Sequence, residues 1–116
     1  MADPRLPLAV ARLLKATTEP PLVSAATIFE IAIKFRLDRR ADPMPISGAM
    51  AILEFEASGF ELLAINPEHA AAVDLMPLHH GDPFDRLLVA QSQCEGLQLL
   101  TQDSKLAAYG NHVIVV

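Results

Sequence analysis

Residues 79–103, HHGDPFDRLLVAQSQCEGLQLLTQD, decide how the rest of this chain is read. Gly81-Asp82-Pro83-Phe84-Asp85 is a helix-start signal. Asp82 offers a short side-chain acceptor at the N-cap, Pro83 suits the first helical position, and Asp85 falls at the third. The spacing predicts a helix to about Glu95, with Leu87, Leu88, Val89 and Ala90 on its apolar side, stopped by Gly96. Residues 97–100, LQLL, then read as a short strand that ends at Thr101-Gln102-Asp103. Two carboxylates, Asp85 and Asp103, thereby fall at a helix start and just beyond a strand's carboxyl end. In open α/β sheets that edge is where ligands bind.

Working outward, the same alternation continues. Residues 5–16, RLPLAVARLLKA, carry Leu6, Val10, Leu13 and Leu14 at helical spacing and end before Thr17-Thr18-Glu19-Pro20-Pro21. Leu22-Val23-Ser24 is a very short strand, and residues 25–37, AATIFEIAIKFRL, form a helix apolar nearly all round, expected to be buried on most sides. Its polar positions Thr27, Glu30 and Lys34 share one face. A polar loop at 38–45 precedes a helix over 48–58 capped by Ser47, and Gly59 separates it from a strand at 60–65. Asn66-Pro67-Glu68 caps a short helix through Asp74. After Asp103, a turn or two of helix at 104–109 and a turn at Gly110-Asn111 lead to a strand at 112–116. Strands alternating with helices imply one α/β domain over residues 1–116, a small parallel sheet with helices on its faces.

Composition narrows the function. The chain has 116 residues, 52% of them hydrophobic, which is enough for one domain and its core. No apolar run approaches the ~20 residues of a membrane span, and the polar start Met1-Ala2-Asp3-Pro4-Arg5 is no secretory leader. Cys94 is the lone cysteine, so no disulfide framework or cysteine zinc site is expected, and the cytoplasm is the expected location. The net charge of −5 argues against holding nucleic acid by bulk electrostatics. It leaves open an enzyme that meets phosphates through bound cations, for which clustered carboxylates are the requirement.

Three blocks, taken in order, resemble a known family. They are Val23-Ser24-Ala25-Ala26 with Glu30-Ile31-Ala32-Ile33-Lys34; His80-Gly81-Asp82-Pro83-Phe84-Asp85-Arg86-Leu87-Leu88-Val89-Ala90-Gln91; and Leu100-Thr101-Gln102-Asp103. From about Asp3 onward the chain resembles the toxin branch of the PIN-domain ribonucleases, the VapC-like members of toxin–antitoxin pairs. The resemblance implies a three-layer α/β/α fold around a small parallel sheet. It also implies acidic side chains gathered at the sheet's carboxyl end to hold Mg²⁺ or Mn²⁺ for RNA phosphodiester hydrolysis. Glu30, Asp85 and Asp103 match those acids, as catalytic and metal-binding residues, while Gln102 stands where the family usually has Arg. The family's opening strand, which is central and carries a further aspartate, has no counterpart here. Asp3 matches a later loop and does not replace that acid. An N-terminally incomplete PIN-like domain is therefore expected, with two strands lacking their shared neighbour. A cognate antitoxin and a homodimer are implied by the resemblance alone, and the apolar surplus at 28–37 suits either.

Each residue also has a plainer role. An acid in the first turn of a helix, such as Asp85, gains about 0.3–1 kcal/mol from the macrodipole. Glu30 can pair with Lys34 in the favourable i,i+4 order, worth about 0.2–0.5 kcal/mol. Asp103 can cap the turn at 104–106, and Ser24 and Thr101 can be local caps rather than groups that orient water. His79-His80 near Asp82 lacks any helical His spacing that would hold zinc. Arg86 either pairs with an acid or reaches a phosphate. Three converging carboxylates repel one another unless a cation neutralises them. Hard oxygen donors favour Mg²⁺ or Mn²⁺. The expected activity is thus a metal-dependent endoribonuclease of toxin type. The rival is a catalytically impaired PIN-like module that keeps dimer or antitoxin binding, whereas a phosphatase-like hydrolase lacks a Gly-rich loop or nucleophile motif.

Overall fold

A computed structural model describes residues 20–37, 44–77 and 81–116. The helix predicted at 5–16, Asp3, Leu8, most of the 38–45 loop and the His79-His80 pair lie outside the described residues. Strand β1 (Leu22–Ser24) runs directly into helix α1 (Ala25–Leu37). There follow α2 (Gly48–Ala57), β2 (Glu61–Leu63), α3 (Pro67–Ala72) with a 3-10 turn at Val73–Leu75, and α4 (Pro83–Glu95). Strand β3 (Leu99–Thr101), a 3-10 segment at Ser104–Tyr109 and β4 (Val113–Val115) complete the order. This is the expected α/β fold with small parallel sheets: β1 has the expected bounds, β3 begins two residues later than expected, and β2 and β4 are shorter than their apolar runs.

The punctuation residues act where the sequence places them. Asp82 caps α4, accepting from the Phe84 amide at 2.8 Å and the Asp85 amide at 3.3 Å. Gly96 ends the same helix in the left-handed conformation at φ 65°, which costs glycine nothing because it has no Cβ. Ser47 caps α2 through the Met50 amide at 3.2 Å. Asn66 and His69 form a capping box at α3, each accepting from the other's backbone amide. Gly48 has a different reason to be glycine: a Cβ there would sit 3.0 Å from the Ala32 Cβ, where α2 crosses α1.

β1 pairs with β2 in register Leu22↔Glu61, Val23↔Leu62 and Ser24↔Leu63. β3 pairs with β4 in register Leu99↔Val113, Leu100↔Ile114 and Thr101↔Val115. Both pairs are parallel, and among the described residues no strand joins them. Alternate residues of a parallel strand turn their backbone groups to opposite sides. The Pro21 carbonyl accepts from Glu61 and the Thr101 carbonyl from Val116, so Leu22, Ser24 and Leu100 turn theirs away from their partner strands.

The main core brings together Ala26 of α1, Leu88 and Val89 of α4, Leu99, Leu106, Tyr109 and Val113, with Leu63, Met76 and Leu87 against it. A smaller cluster joins Val23, Phe60 and Phe55, the two rings edge to face at 5.2 Å. One expectation needs correcting. Helix α1 is not buried on most sides: only Ala26, Thr27 and Ile31 are, while Phe29, Ile33, Phe35 and Leu37 are exposed. The helix packs on β1, α2 and α4 along one flank only, so the rest of its apolar circumference has nothing to cover it among the described residues.

Candidate functional site at the carboxyl edge of the strands

Chain direction alone brings three acid-bearing turns to one edge. α1 begins where β1 ends, so its first turns stand at the carboxyl edge of the strands. α4 leads into β3 through Gly96 and packs against it, so its N-terminus lies level with that strand's carboxyl end. Asp103 follows β3 directly. The Phe29 and Phe84 rings meet at 5.7 Å between centroids. Each is the immediate neighbour of a predicted site acid, Glu30 and Asp85. The turn of α1 that carries Glu30 is thus held against the first turn of α4.

The strand ends are fixed by hydroxyls used in the same way twice. Ser24 Oγ accepts from the Ala26 amide at 3.0 Å, and Thr101 Oγ1 accepts from the Asp103 amide at 3.1 Å. Both side chains are fully buried. Each closes the tight turn by which the chain leaves its strand, and each is the local cap that the sequence allowed.

Asp85 is 3% exposed, a carboxylate taken almost entirely out of water in the first turn of α4. Burial of that degree is costly unless the group is compensated. Asp103 Oδ1 accepts from the Lys105 amide at 3.0 Å, capping the 3-10 segment. Glu30 Oε1 lies 3.1 Å from Lys34 Nζ, the i,i+4 pair foreseen as its plainer role. Arg86 Nη2 donates to the Val73 carbonyl at 3.2 Å, and Nη1 is buried without a partner. Thr27, on the same face of α1 as Glu30, is fully buried with an unpartnered Oγ1.

The chemistry of this donor set suits a hard divalent cation, because every donor is oxygen. The orphaned Thr27 hydroxyl adds a polar group that is not yet satisfied one turn from Glu30. The side chains as they lie do not converge: among the described residues no three His, Cys, Asp or Glu are gathered closely enough to hold an ion. Lys34 holds Glu30 through one oxygen, Oε1.

The sequence missed a second polar cluster, at the other end of α4. His69 is 1% exposed. Its Nδ1 accepts from the Asn66 amide at 3.1 Å, so Nε2 carries the hydrogen that meets Glu95 Oε1 at 2.6 Å. Gln91 Nε2 donates to the Ala64 carbonyl at 3.2 Å and lies 3.3 Å from the same Nδ1. This network ties α3 to the last two turns of α4. Only the Asn-Pro-x-His run that makes the capping box signalled it in advance.

A family model described as PIN domain matches residues 2–111, and the chain belongs to that family. PIN domains are generally a nuclease fold acting on nucleic acid, and they are typically dependent on a divalent metal. No curated protein matches the chain. No helix among the described residues is long and apolar enough to cross a membrane.

Proposed function

We propose that this PIN-domain protein is a metal-dependent endoribonuclease of toxin–antitoxin type, with Glu30, Asp85 and Asp103 as the acids of its Mg²⁺ or Mn²⁺ site. One observation carries the reading: the turns bearing Glu30 and Asp85 are held together through Phe29 and Phe84 at the edge where Asp103 leaves β3. A divalent cation there supplies an activated water and neutralises charge on the scissile phosphate. The chain's own contribution is placement. Asp82 fixes the first turn of α4, and with it the backbone of Asp85. Thr101 fixes the amide of Asp103, and Ser24 fixes the start of α1. Burial of Asp85 keeps water from competing for its oxygens.

The substrate is RNA, drawn from the resemblance, and the setting the cytoplasm, which suits a chain with one cysteine. A cognate antitoxin and a second copy of the chain are the partners proposed for the exposed apolar side of α1, where Phe29, Ile33, Arg36 and Leu37 line a shallow groove. The test is cleavage of a labelled single-stranded RNA with Mn²⁺ or Mg²⁺, run beside Asp85→Asn. Metal-dependent cleavage by the wild type, lost in the variant, is expected. Cleavage that survives both EDTA and Asp85→Asn rules the site out.

A second reading rests on the Glu30–Lys34 pair and the lack of convergence among the acids. In it the chain is a catalytically impaired PIN-like module that retains dimer or antitoxin binding. Absence of cleavage with either metal, together with a dimer in sedimentation, favours that reading.

A further inference from the structure

Thr27 does not fit a finished structure. Its side chain is fully buried and its Oγ1 has no hydrogen-bond partner. Buried hydroxyls almost always have one, and an unmet one carries its full desolvation penalty. The position is physically reasonable if the partner arrives in another state of the protein.

The helix indicates which partner. Glu30 is three residues on, and such pairs stand about 5–6 Å apart between Cβ atoms on one face. Helical side chains lean toward the N-terminus, so the natural resting place of the Glu30 carboxylate is over the turn that holds Thr27. Lys34 draws it the other way, at 3.1 Å, with the lysine side chain 42% exposed and the glutamate 13% exposed. The lysine end of the pair is open to solvent, which weakens its hold.

Resting on the assignment of Glu30 to the metal site, we infer that Thr27 is a positioning residue for Glu30 and that Lys34 parks the same carboxylate when the site is empty. When Glu30 leaves Lys34 to meet a divalent cation, Thr27 Oγ1 donates to one carboxylate oxygen and fixes the direction of the other. The orphaned hydroxyl is satisfied only in the loaded state. Lys34 competes with the cation, so metal affinity depends on both ends of this short switch.

Thr27→Val tests it, because valine keeps the shape and the β-branching and removes only the hydroxyl. The full chain is titrated with Mn²⁺, free ion being followed by electron paramagnetic resonance, and thermal unfolding is recorded without metal. Loss of one hydrogen bond to a charged acceptor predicts Mn²⁺ affinity weakened about tenfold. The metal-free melting temperature is expected to hold or to rise by about 2–4 °C, since an unsatisfied hydroxyl is gone. Thr27→Ser should restore affinity to within about twofold of wild type. Lys34→Met should tighten Mn²⁺ binding. A Thr27→Val protein that melts lower without metal yet binds Mn²⁺ as the wild type does overturns the inference and makes the hydroxyl a structural, water-satisfied group. Failure of the wild type to bind Mn²⁺ removes the metal site itself, and the inference with it.

Discussion

His69→Ala tests whether α4 is held as the structure holds it. The side chain is 1% exposed and takes part in three polar contacts, to the Asn66 amide, Gln91 Nε2 and Glu95 Oε1. Alanine removes all three and leaves the Asn66 amide without its acceptor. It also opens a void where an imidazole was packed. A large-to-small change at a fully buried position costs about 2–5 kcal/mol, and loss of the part-buried bond from the Asn66 amide about 0.5–1.5 kcal/mol. Water entering beside the exposed Glu95 offsets part of both, so a loss of about 3–5 kcal/mol is expected. Set against the roughly 5–15 kcal/mol of a typical domain, that is a large fraction. Urea unfolding followed by circular dichroism measures it. Glu95→Gln is the informative companion: its amide oxygen still accepts from Nε2, and the side chain is 39% exposed, so the loss should be only about 1 kcal/mol. In the His69→Ala background the same change should cost almost nothing, because the two residues act on one bond. A His69→Ala loss below about 1 kcal/mol, or a Glu95→Gln cost equal in both backgrounds, refutes the network.

Two further perturbations address the placement of the site. Asp82→Ala removes the cap of α4 and should lower stability by about 0.5–2 kcal/mol in the same unfolding experiment. It should also reduce RNA cleavage, because Asp85 sits in the turn that Asp82 fixes; unchanged cleavage would separate the cap from the site. Gly96→Ala forces a Cβ into the left-handed conformation at φ 65°, for a cost of about 1–2 kcal/mol. Hydrogen exchange should show that loss as opening of the last turn of α4 and of β3, with the first turn of α4 unaffected.

Much of the fold and part of the site were legible in residues 79–103 and the segments around them. Asp82, Pro83 and Gly96 mark the two ends of α4, Ser47 and Asn66 start their helices, and Thr101 and Ser24 close the strand exits. Each of these works through atoms two to four residues away, so the identity of near neighbours is sufficient information. The order of strands and helices likewise carries Glu30, Asp85 and Asp103 to one edge, because chain direction dictates it. Strand β1 has the expected bounds, whereas the apolar runs at 60–65 and 112–116 extend past their strands into residues such as Ile65 and Val116 that are exposed.

What only tertiary structure decided is who is buried and who is paired at long range. His69 meets Gln91 and Glu95 across separations of 22 and 26 residues, and its local capping box with Asn66 announces neither partner. Helix α1 reads as apolar all round, yet only one flank is covered, since burial depends on which elements arrive and not on the helix's own composition. The same holds for Glu30, which the sequence left between Lys34 and a metal. Packing placed its carboxylate on Lys34 and buried the Thr27 hydroxyl without a partner. The sequence supplies the acids and the caps around them; only packing decides which flank of α1 is covered and that the Thr27 hydroxyl beside Glu30 is buried, because burial depends on elements distant in the chain.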